Sequence, residues 1–233
     1  MDEQKALEMV QNIFMSVFRR ETTLSLDEIK EKFASLIKLP IEVHDSTTGE
    51  ATWTDGQAEF YITQKNMEKV DFSTGWMKKE LTFHSMEELL ESWKQMNYKT
   101  TERLYNCEDC SKSDTLYNCI SSYHSLNCRQ SKNIIYSEGC GDCEYLIACK
   151  NSGNCNYCIN VYDSGTCSNS YSVTCSSKIS NSLMIQDCFN LHECIFCSHI
   201  ANKRYCICNT QFEKEEYFQW KKLIVDWIFS KIR

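Results

Sequence analysis

The chain has 233 residues, 42% hydrophobic and 24% charged, with a formal net charge of −7. Those figures suit an ordinary folded chain of about two units, and one proline with seven glycines excludes a Pro/Gly-rich disordered chain. No apolar run approaches the ~18 residues of a membrane helix and no charged-then-apolar leader opens the chain, so an intracellular (cytoplasmic) location or an intracellularly assembled particle is expected. No basic stripe is present to neutralise phosphates, which argues against nucleic acid as a partner.

The first hundred residues predict a small α+β unit. Over 3–20, Leu7, Val10, Ile13, Phe14, Val17 and Phe18 recur at helical spacing, the mark of an amphipathic helix. Ser25 and Glu28 form a capping-box pattern at the start of a second helix, whose buried face is expected from Ile29, Phe33, Leu36 and Ile37 and whose end is set by Pro40. The segments 41–44, 51–54 and 59–63 alternate apolar with polar around Thr48-Gly49 and Asp55-Gly56, which predicts a small antiparallel sheet. Ser85 and Glu88 repeat the capping pattern before Leu89, Leu90, Trp93 and Met96.

From Leu104 to Ile200 the pattern changes. Every third residue is Cys, Ser, Leu, Ile or Val, without a charge, aromatic or glycine in that phase. All 16 cysteines lie between Cys107 and Cys208, and only Cys175 and Cys208 leave the phase. A slower period of twelve aligns further columns. One reads Tyr123, Ile135, Ile147, Ile159, Tyr171, Leu183, Ile195, Ile207. Others hold Asn106, Asn118, Gln130, Asp142, Asn154 and Asn190, then Gly141, Gly153 and Gly165, then Asn127, Gly139, Asn151, Asp163 and Asp187. Residues that tolerate left-handed backbone, recurring once per repeat, are expected at the turns of a coil.

An inward residue every third position and twelve residues per coil describe a narrow β-solenoid over 104–208. About eight coils stacked at about 4.8 Å give a rod on the order of 38 Å long. The phase Cys143, Leu146, Cys149, Ser152, Cys155 resembles the coil of the beetle antifreeze β-helix, which implies the fold. It does not imply ice binding, since the flat Thr-x-Thr array that carries that activity is missing here. After the repeats, 213–233 predicts an amphipathic helix with Tyr217, Trp220, Ile224, Trp227 and Ile228 on one face, read as the C-terminal cap. The segments 203–209 and 212–217 also resemble the tail of cysteine-rich proteins of unknown function in uncultivated bacteria, a likeness that implies no activity.

Four C-x-x-C pairs (Cys107/Cys110, Cys140/Cys143, Cys155/Cys158, Cys194/Cys197) invite a zinc reading, in which Cys140, Cys143, Cys155 and Cys158 are the alternative ligands. Disulfides such as Cys143/Cys149 or Cys188/Cys194 are a second candidate. Free thiols packed as small hydrophobes lead, because the phase continues through Ser and Ile where no metal could be held. The five histidines are scattered, so no base is paired with a thiol, and no catalytic residue is expected. Non-catalytic scaffolding, with another protein or further copies of the chain as partner and no cofactor, is the expected role; a minor virion part or a cellular scaffold fits it. The column from Tyr123 to Ile207 lies outside the triplet phase. It either forms an outward apolar stripe that docks the N-terminal unit, the C-terminal helix or a second chain, or turns inward beside its neighbours.

Overall fold

The computed structural model describes residues 1–69, 77, 81–141, 143–144, 146–150, 155–162 and 167–232. Of the turn positions expected above, Asp142, Asn151, Gly153, Asn154, Asp163 and Gly165 lie outside the described residues, as does inward-phase Ser152. Helices α1 (Glu3–Phe18) and α2 (Leu26–Phe33) open the chain. Asp2 caps α1 through the Lys5 amide, and Ser25 with Glu28 closes a complete capping box on α2. The second helix ends at Phe33, earlier than expected, and Leu36 stands 71% exposed.

Strands β1 (Ile41–His44) and β2 (Ala51–Thr54) pair antiparallel. The third strand does not join them as a sheet: β3 (Phe60–Thr63), followed by the single-turn α3 (Gln64–Met67) and by α4 (Met86–Lys94), pairs in parallel with β4 (Tyr98–Thr101). The Thr52 and Thr101 hydroxyls, 2.7 Å apart and buried, bind the two pairs of strands to each other. Asp114, fully buried on the first coil, then accepts from the Arg103 guanidinium at 2.6 Å and the Asp55 amide at 3.0 Å, so this unit is fastened to the repeats through a charged, fully hydrogen-bonded group.

From 104 to 207 the chain winds about eight turns of a β-solenoid with about 12 residues per coil. Parallel ladders step by one coil each time: Ile147 pairs with Ile159, Ile159 with Tyr171, Tyr171 with Leu183, and Leu183 with Ile195. Among the described residues of the coils, left-handed backbone appears at every third position, immediately before an inward one: Asn106, Asp109, Lys112, Thr115, Asn118 and Ser121 all have φ between 48° and 57°. A coil therefore has four corners, not one or two, and its sides are three residues long. Asn, Asp and Gly hold many corners, as their tolerance of positive φ predicts. Tyr136, Ala148, Met184 and Phe196 hold others, although left-handed geometry costs such residues about 1 kcal/mol each. The ladder offsets this, since corner amides donate to the coil below, as Asn118 does to the Tyr105 carbonyl at 2.9 Å. Gly141 is not at a corner but on a side of the coil, bridged in parallel to Arg129.

The last coil is blunted. Its inward phase carries Lys203, exposed, in register with Leu191 and Ile179 of the preceding coils, and a charge at that position disfavours stacking of another coil. Thr210–Gln211 folds back antiparallel on Cys206 and Ile207, and the Gln211 amide donates to the Arg204 carbonyl at 2.6 Å. Helix α5 (Lys214–Ile232) then runs back along the rod's flank. Its buried face is Tyr217, Val225 and Ile228; Trp220 and Trp227 of the expected face are about half exposed.

Candidate functional site

Two separate apolar clusters organise the molecule. The inner one fills the rod with triplet-phase side chains, among them Leu116, Cys119, Ile134, Cys143, Cys158, Val173 and Cys194. Small X–H side chains recur there because each inward position follows a left-handed corner, where the carbonyl two residues earlier comes within reach. Ser131 donates to Arg129 at 2.9 Å, Ser170 to Ser168 at 2.8 Å, Cys128 to Leu126 at 3.2 Å and Cys143 to Gly141 at 3.1 Å. Ser and Cys thus do the same work at the same position, and Ile, Leu or Val fill other inward positions.

All 16 cysteines are free, and only Cys175 and Cys208 are exposed. Both sit at left-handed corners, which is why they leave the triplet phase. The alternative zinc ligands are inward residues of two successive coils, Cys140 and Cys143 on one and Cys155 and Cys158 on the next, all buried. Burial drives the Cys140 and Cys158 thiols well above the usual range, and it pushes Cys110 up to about 12 with Cys107 and Cys119 adding to the shift. Metal binding needs thiolates, which burial at Cys140 and Cys158 disfavours. Among the described residues, no group of three or more His, Cys, Asp or Glu side chains is placed to hold a metal ion. In the last full coil one thiol differs: a hydrogen bond from Cys194 holds Cys197 below the usual thiol range, against the effect of burial.

One corner column carries nucleophile, carboxylate and imidazole types in succession: Cys175, Asp187 and His199, with His199 Nε2 3.6 Å from the Asp187 carboxylate. Since stacked rungs are about 4.8 Å apart, Asp187 stands between the other two and the imidazole is about 10 Å from the thiol, too far to take its proton. The remaining inner histidines are engaged otherwise, His124 with the Pro40 carbonyl at 3.0 Å and His192 with the Ser180 hydroxyl at 2.8 Å.

The outer cluster joins the predicted column to the helices. Tyr123, Ile135, Ile147, Ile159, Leu183, Ile195 and Ile207 are buried together with Val10, Ile13, Phe14, Val17 and Phe18 of α1, Ile29 and Phe33 of α2, and Tyr217, Val225 and Ile228 of α5, and Tyr171 packs against the same group. The rings of Phe18 and Phe33 lie 5.2 Å and 6.4 Å from that of Tyr171, and Tyr205 meets Tyr217 at 5.5 Å. The adjoining corner residues Tyr136 and Ala148 belong to this cluster as well, which widens the stripe to two columns. Sequence reasoning missed that second column because its residues are unlike one another. The column is thus occupied inside the chain, and what the rod still offers is its other sides and the outer faces of the helices.

No protein-family model, curated protein or solved structure matches the chain. Within the described residues, no helix is long and apolar enough to cross a membrane.

Proposed function

We propose that this protein is a non-catalytic scaffold: a stiff rod, closed along one flank by its own helices, that takes its place in a larger assembly as a minor particle or scaffold component and needs no cofactor. One observation carries the reading. The interior of the rod is filled by packed side chains and its apolar outer stripe is covered by α1, α2 and α5, which supports rigidity as what the repeats contribute. The contact points are then those apolar side chains that the fold leaves in water. Met86, Leu89, Leu90 and Trp93 of α4 are 62%, 40%, 50% and 53% exposed, a concentration unusual for a chain that works alone. Copies of the chain meet through this helix. In the cytosol the thiols stay reduced.

Sedimentation of the full chain over a hundredfold concentration range tests this. Concentration-dependent association that is abolished in Leu90→Lys with Trp93→Lys supports it, and a strictly monomeric wild type overturns self-assembly. The competing zinc reading rests on Cys140, Cys143, Cys155 and Cys158, and zinc that co-purifies stoichiometrically and resists dialysis against chelator would establish it over the thiol-packing account.

A further inference from the structure

Between the end of α1, one side of α5 and the corner column Asn169, Asn181, Glu193 lies a cavity of about 560 Å³. Its volume is that of a small-molecule site. One wall is apolar: Val17, Phe18 and Val225 are buried, and Phe218 borders them at 41% exposure. The polar wall is cationic, with Arg19, Arg20, Lys221 and Lys222 against Glu193 and Asp226. Two of these cations are already satisfied. Lys221 meets the Glu193 carboxylate at 2.7 Å and the Asn181 carbonyl at 3.2 Å, and Arg20 meets Asp226 at 2.8 Å. No ion pair engages Arg19 or Lys222 among the described residues. Arg19 is fixed at the rim by its place as the left-handed cap of α1, with φ 57° and its amide on the Met15 carbonyl. In a chain of net charge −7 such a local excess of cations is the reverse of the average surface.

We propose that this cleft binds a small amphipathic anion, with an aromatic or branched aliphatic body against Phe18, Val17 and Phe218 and a phosphate or carboxylate head against Arg19 and Lys222. The paired cations Lys221 and Arg20 hold the walls apart and set the register of the head. A charged head gains attraction to the two exposed cations and an apolar body gains burial against Val17, Phe18 and Phe218, so a ligand with both parts is favoured over one with either alone. The inference stands apart from the scaffold reading, since a rod with or without self-association has this cleft.

Calorimetric titration of the full chain with 1-naphthyl phosphate, 1-naphthoate, 1-naphthol and inorganic phosphate tests it. Saturable binding of either naphthyl anion is expected, at least tenfold tighter than the neutral naphthol or inorganic phosphate. Arg19→Glu with Lys222→Glu, both on exposed side chains, should weaken the anions tenfold or more, and Arg19→Lys with Lys222→Arg should restore them to within a few-fold. If the double charge reversal fails to fold by circular dichroism, Lys222→Glu alone carries the comparison. Absence of saturable binding up to about 1 mM, equal binding of naphthol, or unchanged affinity in the charge-reversed protein overturns the proposal.

Discussion

The amide of Ser137 donates to the hydroxyl of Ser125, one coil below it, at 3.3 Å, while that hydroxyl donates to the Tyr123 carbonyl at 3.0 Å. A single buried side chain therefore bridges two coils, and the bridge recurs at Ser170 to Ser182 and Ser182 to Cys194. Ser125→Ala should cost about 1–3 kcal/mol by leaving the buried Ser137 amide unpaired, measured as the shift of a urea unfolding curve. Cys143→Ser should be mild because the hydroxyl repeats the thiol's bond to the Gly141 carbonyl, and Cys155→Ser should be mild because Ser already holds other inward positions of the same phase. Cys155→Asp should abolish folding by burying an unpaired charge, and native-like stability in that variant would show that the inward register is wrong.

The stripe gives a second expectation. Ile147 and Ile159 are fully buried beneath the helices and lie outside the cluster that fills the rod. Replacing both by Lys should detach α1 and α2 from the flank while the parallel ladders persist. Amide exchange of α1 should rise by orders of magnitude, with the β signal of the solenoid retained. Loss of the β signal together with the helices would show that the column is needed to build the coil itself.

How far the sequence reveals this fold varies with the range of the interaction. The triplet phase and the twelve-residue period are legible because a narrow coil admits few side chains at each inward position, so packing writes itself into composition. The corners are legible only in part. Asn118 and Gly139 announce positive φ, whereas Lys112, Tyr136 and Phe196 are held there by the ladder against their own preference. The pairing of β3 with β4 leaves no local mark, since Phe60 and Tyr98 come from distant segments, and the early end of α2 at Phe33 could not be read from Leu36 and Ile37. Whether the Tyr123 column faces in or out was undecidable from the repeats alone, because the answer depends on Phe18 and Phe33, far away in the chain. The cleft beside Arg19 and Lys222 was invisible for the same reason.

Thiol reactivity supplies a third expectation. Cys175 and Cys208 are exposed at corners, and Cys107 and Cys110 are half-buried in the first coils. With a disulfide-exchange reagent near pH 8, native protein should show two fast thiols, lost one at a time in Cys175→Ser and Cys208→Ser. Cys110 should lag even where it is accessible, because its thiol is pushed up to about 12 and little thiolate forms at that pH. Denaturation of freshly prepared protein should release all 16. A denatured count near zero would instead place the chain in an oxidising compartment as a disulfide-stapled rod.

The last expectation concerns acid. Asp45 is fully buried where β1, β3 and α3 meet, and its carboxylate accepts from the amides of Thr47 at 2.8 Å and Thr63 at 2.8 Å and from the Asn66 side chain at 2.9 Å. Burial works to raise its pKa, but these hydrogen bonds outweigh it and hold the carboxyl well below the usual range. A folded-state pKa depressed below the unfolded one contributes stability that is fully present above the unfolded value, about 3.9, and is lost as pH falls through the folded value. Wild type should therefore lose stability progressively below about pH 4. Asp45→Asn removes the charge and sets an amide N–H against donors, so it should cost about 1.5–3 kcal/mol at pH 7. Because the variant has no proton to take up at this site, its further loss in acid should be smaller, and the two stability curves should converge toward pH 2. Thermal unfolding recorded from pH 7 to pH 2 decides it: curves that stay parallel throughout would mean that Asp45 is not depressed in the native state and that its cluster of donors does not set the acid limb.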